Sequence, residues 1–182
     1  MRVAVNFKIS AMRYLFFILL LANFNGNAQE LNETVDYINN LLKLHTHNLH
    51  IPELENGSRG FDKITIDAHG RINVQRYVED EKTGTILSKG QTGYAYLKFL
   101  ELGTKKDLNG PPTEYKLGLQ CHSLGNCVTY QFNNEGSRTQ SELWFSVDNY
   151  DIRERLQKAL LHLLELAKTN KDFYEKDPFT SN

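Results

Sequence analysis

Residues 31–45 place Leu31, Val35, Ile38, Leu41 and Leu42 three and four positions apart, one apolar stripe on a 3.6-residue period, which predicts a helix. Asn32 fits its N-cap, and Glu33 and Asp36 suit the positive end of its dipole. "IPELENGSRG", residues 51–60, carries proline and two glycines and interrupts regular structure. From Phe61 the period becomes two. Ile64, Ile66 and Ala68 alternate with Thr65, Asp67 and His69, and beyond His69 and Gly70 the alternation resumes at Ile72 and Val74, predicting a tight hairpin.

"EDEKTG", residues 79–84, reads as a polar turn before a short strand over 85–88. Residues 94–102 are apolar and aromatic on both phases, a poorer strand pattern, and "GTKKDLNGPP", 103–112, is the longest loop. Strands are then predicted over 114–121, 127–133 and 140–147, separated by "SLGN" and "NNEGSR". In the last of them Leu143, Phe145 and Val147 alternate with Glu142, Trp144 and Ser146. The closing segment gathers Ile152, Leu156, Ala159, Leu160, Leu163 and Ala167 on one arc of an amphipathic helix, with Asp148 and Asp151 in a capping arrangement. The aromatics of "KDFYEKDPFTSN" are expected to dock the tail or leave it to fray.

This pattern predicts an α+β fold: an N-terminal helix, about seven antiparallel strands as a curled sheet or partly open barrel, and a C-terminal capping helix. The element order over 61–170 resembles the pleckstrin-homology-like superfold, which implies a helix plugging one barrel mouth and no particular function. A second resemblance, to small exported proteins of Bacteroidota, is carried by "NAQE", "ETVDYINNLLKL", "CHSLGNC" and "RLQKALLHLLELAK" followed by "DPF". It implies an exported module without a specified activity.

Residues 1–28 read as a secretory signal: Arg2, Lys8 and Arg13 precede the apolar core "YLFFILLLANF", and Gly26, Asn27 and Ala28 form a small-residue cleavage site. The apolar run is about 11 residues, short of the roughly 20 needed to cross a bilayer. The mature chain, 29–182, is expected to be a single soluble domain, periplasmic or secreted, with no stable membrane insertion after cleavage. Loss of three basic residues takes the formal charge from −1 to −4, which argues against a nucleic-acid partner.

Cys121 and Cys127 flank "HSLGN". Turn chemistry favours a loop of Ser123, Leu124 and Gly125 that brings the thiols opposite each other for a disulfide. Periodicity opposes it, because Leu117, Leu119 and Cys121 share one phase whereas Val128, Tyr130 and Phe132 share a phase that excludes Cys127. The oxidising compartment favours the disulfide over free thiols, and closing so short a loop contributes about 2 kcal/mol. The spacing lacks the Cys-X-X-Cys arrangement of redox catalysts.

His45, His47 and His50 are candidate metal ligands, set against solvated histidines at a helix end. His122 beside Ser123 offers no hydrolase triad, Gly84, Gly90 and Gly93 match no phosphate loop, and the sequons at Asn32 and Asn56 read as ordinary polar residues. Among the many strand aromatics, Tyr96, Tyr130 and Trp144 are candidates to line a cavity for an apolar or carbohydrate-like ligand, against core packing. No catalytic or cofactor signature is evident. The expected function is a non-enzymatic interaction module meeting a protein or cell-envelope partner through a sheet edge or the loop 103–112. The alternative is a small-ligand carrier with an aromatic-lined cavity, and a metal-dependent hydrolase is a third class.

Overall fold

The computed structural model describes residues 29–45, 57–103, 115–122, 125–132 and 136–175. Helix α1 spans 29–45 and buries Ile38, Leu41 and Leu42, with Leu31 and Val35 packed alongside, so the apolar stripe is its inner face. The helix already runs at residue 29, so Asn32 lies inside it and does not cap it.

Strands β1 (Ser58–Ile66) and β2 (Arg71–Asp80) form the hairpin read from the alternation, with Ile64 opposite Val74 and Phe61 opposite Tyr77. Asp67 sets the turn by accepting from the His69 and Arg71 amides. Gly70 sits at φ +71 against the ring of Phe173, so the turn needs both its left-handed backbone and its missing side chain. Strand β3 (Ile86–Tyr96) runs far past the short strand read at 85–88. A 3-10 turn, Leu97–Phe99, leads directly into β4 (Leu100–Leu102).

The remaining strands are β5 (Tyr115–Cys121), β6 (Val128–Phe132), β7 (Gly136–Gln140) and β8 (Glu142–Val147). One sheet has the order β1-β2-β3-β6-β7 and the other β4-β5-β8, all pairs antiparallel, and the two do not close into a barrel. Consecutive β3 and β4 pair with consecutive β6 and β5, which in turn pair with consecutive β7 and β8. The sheets are thus one meander of five long passes folded across a line. The line crosses the passes at Leu97–Phe99, between the end of β5 and the start of β6, and at Ser141, where the Cys121 amide donates to Ser141 O (2.8 Å) and the His122 amide to Phe99 O (3.0 Å).

Helix α2 (Tyr150–Thr169) packs against β4, β5, β8 and the 3-10 turn, burying Ile152, Leu156, Ala159, Leu160, Leu163, Leu164 and Ala167. Its N-cap is Asn149, whose side chain accepts from the Asp151 amide at 2.7 Å. Asp148 instead faces His45 of α1, correcting the cap read from the sequence. A short α3 (Asp172–Glu175) buries Phe173. The space inside the folded meander is filled by Ile64, Ile72, Leu117, Leu119, Leu143 and Phe145 together with the inner faces of α1 and α2. Among the described residues no helix is long and apolar enough to cross a membrane. Residues 1–28, expected from the sequence to be a secretory signal, lie outside them.

Candidate functional site

Cys121 and Cys127 stand at disulfide distance, Sγ to Sγ 2.05 Å and Cα to Cα 5.9 Å. They are not facing residues of a hairpin, because β5 and β6 belong to different sheets and Cys121 pairs instead with Leu100. β5 ends at Cys121 and β6 begins at Val128 on the same pass, so the cysteine pair spans the break between the two strands. Val128 is seven positions on from Cys121, and the break between the strands absorbs the change of phase that the sequence displays. Next to Cys121, His122 Nδ1 lies 3.2 Å from Glu101 Oε2. Hydrogen bonds from Gln120 and His122 hold the Glu101 carboxyl below the usual carboxylate range.

Of the candidate metal ligands, His47 and His50 fall outside the described residues. His45 Nδ1 lies 3.6 Å from Asp148 Oδ1, and no group of three His, Cys, Asp or Glu side chains gathers among the described residues. The loop 103–112 lies outside them beyond Gly103. The three candidate aromatics each stand in a different contact. Tyr96 sits at the end of β3 with its ring edge to Phe99, 6.3 Å between centroids. Tyr130 is buried and donates to Glu142 O (3.3 Å), tying β6 to β8, while Trp144 covers Gly118, where an added Cβ would fall 2.9 Å from its ring. Both therefore serve packing between passes.

The site that does assemble is a groove of about 600 Å³ between α1 and the outer face of the β1–β2 hairpin. Helix α1 contributes Asp36, Asn40 and Lys43; β1 contributes Phe61 and Lys63; β2 contributes Tyr77 and Glu79; Gly84 and Ile86 close one end. Phe61 and Tyr77 face each other across the strands and stack, 5.5 Å between centroids. Glu79 is only 2% exposed, and Arg59 directs two donors at its Oε1, from Nη2 (2.6 Å) and Nε (2.8 Å). Its Oε2 receives no hydrogen bond, and Lys43 Nζ stands 3.4 Å away. The turn at that end is pinned by Asp80, which accepts from the Lys82 and Thr83 amides and the Thr83 hydroxyl. Those bonds hold the Asp80 carboxyl below its ordinary value.

Sequence reasoning missed this groove. Glu79 opened a segment read as a polar turn, and Phe61 marked only a change of period. One signal was present: Phe61 falls on the phase of Lys63 and Thr65, opposite to that of Ile64 and Ile66, so a large ring stood on the strand's outer face with nothing local to cover it.

No family model, no curated protein and no solved structure matches this chain.

Proposed function

We propose that this chain is an exported, non-enzymatic binding module that receives a small ligand, or a projecting group of a cell-envelope partner, in the groove between α1 and the β1–β2 hairpin. The observation that carries the reading is the buried Glu79 carboxylate on the groove wall, with one oxygen left without a hydrogen bond beside a stacked aromatic pair. A buried carboxylate oxygen without a donor is a costly feature that persists where something else supplies the donor. Open space, an aromatic surface and a few fixed polar atoms are the usual components of a small-molecule site.

The groove lies outside the meander. The aromatic-lined interior envisaged for a carrier has less support, since Tyr130 bonds across to β8, Trp144 lies over Gly118, and leucines occupy the centre. A fragment screen on the isotope-labelled, exported protein tests the reading. Amide shifts of Phe61, Tyr77, Gly84 and Ile86 are expected to respond together to the hits; hits gathering elsewhere on the surface, or none at all, overturn it.

A further inference from the structure

The chemistry of the ligand can be taken further, on the premise that the groove is the binding site. Both donors of Arg59 converge on Glu79 Oε1, leaving Oε2 as a single available acceptor on the groove side. The cation standing at that oxygen is Lys43, whose Nζ lies 3.4 Å from it without a hydrogen bond and 5.5 Å from the centroid of Phe61. A carboxylate oxygen and an aromatic face together make a seat for an ammonium group. Here a tethered ammonium occupies it loosely. Lys43 is 48% exposed and hangs from α1 on a flexible stem, so moving it into water has little steric consequence.

We propose that the groove is a site for an alkylammonium group, which displaces Lys43 from between Glu79 and Phe61. A guanidinium fits less well, because its planar fork pairs best with both oxygens of a carboxylate and Arg59 already holds Oε1. A neutral hydroxyl supplies a donor without replacing the positive charge that Glu79 loses when Lys43 leaves. An anion meets a buried carboxylate at the groove wall. The alkyl stem finds apolar contact at Tyr77 and at Ile86, which is 43% exposed, and with Lys43 swung out the lining keeps two carboxylates, Glu79 and Asp36, against the one ammonium of Lys63.

The test uses 1,5-diaminopentane, the lysine side chain as Nα-acetyl-lysine N-methylamide, and 1,5-pentanediol as the neutral match, each titrated into the labelled protein by NMR. The amines are expected to bind in the groove and the diol at least tenfold more weakly. Lys43→Ala removes the internal competitor and is expected to tighten amine binding several-fold, whereas Glu79→Gln is expected to weaken it at least tenfold. Glu79→Gln keeps the side chain's size and an acceptor for Arg59, and dispersed amide spectra identify the folded samples; Lys43→Ala alters an exposed position and stands as an independent arm. Weaker amine binding in Lys43→Ala, or equal binding in Glu79→Gln, overturns the proposal. Neutral fragments that bind in the groove while both amines do not would overturn it and leave the groove reading intact; no fragment in the groove removes both. Binding of the diamine alone assigns the site to free amines, and binding of the lysine amide as well extends it to a peptide side chain.

Discussion

Asn39 of α1 meets the backbone of Ile64 with both ends of its amide: Nδ2 donates to the Ile64 carbonyl at 3.0 Å, and Oδ1 accepts from the Ile64 N–H at 2.7 Å. β1 is the edge of its sheet, and Ile64 presents an outward pair of ladder groups there. The side-chain amide therefore stands in for a neighbouring strand, and the helix covers an edge that would otherwise be a template for intermolecular pairing. It also fixes the position of α1, and with it Lys43 and Asp36, relative to the hairpin that carries Glu79.

Replacing Asn39 by alanine leaves both groups of Ile64 without that partner. The expected loss is about 1 to 3 kcal/mol, in the range for unsatisfied, partly buried polar groups. Urea unfolding gives the magnitude, and hydrogen exchange at the Ile64 amide gives the locality: exchange there should accelerate more than at Val74 in β2. Equal acceleration at both would mean that Asn39 does not guard the edge.

The clasp at the fold line leads to a different expectation. Reducing Cys121–Cys127, or replacing both with serine, should lower stability by about 2 kcal/mol through the closed loop. The fold itself should survive, because the line is also held by the Cys121 amide on Ser141 and the His122 amide on Phe99. Near-native amide spectra with a lowered urea midpoint are expected. An intact mass unchanged by reductant would show that the thiols were never joined.

The elements whose side chains alternate against the core were legible: α1 by Ile38 and Leu42, the first hairpin by Ile64 and Ile72, β8 by Leu143, Phe145 and Val147, and α2 by its arc. β7 was not, since Gly136–Gln140 is exposed at all five positions and has no apolar phase to read. The mixed phases of 94–102 had a physical cause, because that stretch crosses the fold line and changes sheets at Leu97–Phe99. The conflict over Cys121 and Cys127 came from assuming a hairpin, whereas a change of phase along one pass satisfies both signals. The groove needed a contact between a helix and a strand edge far apart in sequence, and local periodicity does not encode that.

Asp62 and Arg76 form an ion pair that the hairpin's register sets directly opposite, with Arg76 Nε 2.9 Å from Oδ1 and Nη2 3.1 Å from Oδ2. Asp62 is 2% exposed and Arg76 21%. Removing the carboxylate alone, Asp62→Ala, leaves a largely buried guanidinium without its counter-ion and should cost about 3 kcal/mol. Replacing both, Asp62→Leu with Arg76→Met, should recover most of that, because desolvating the pair offsets much of its attraction. A double variant as unstable as the single one in urea would contradict this account.

Tyr130 makes stability sensitive at the alkaline end. Burial raises its phenol above the ordinary 10.0, and the Trp144 backbone opposes only part of that. Below 10.0 both folded and unfolded chains keep the proton, and the contribution is whole. As pH climbs from there toward the higher native value, the unfolded chain releases this proton while the native one retains it. The unfolded state then binds fewer protons, so stability falls with pH through that window. Tyr130→Phe forfeits the bond to Glu142, about 1 kcal/mol at neutral pH, but should show a shallower alkaline decline. Urea midpoints measured from neutral to strongly alkaline pH check this, since the other tyrosines are common to both proteins. Parallel curves for wild type and variant would place the alkaline sensitivity elsewhere.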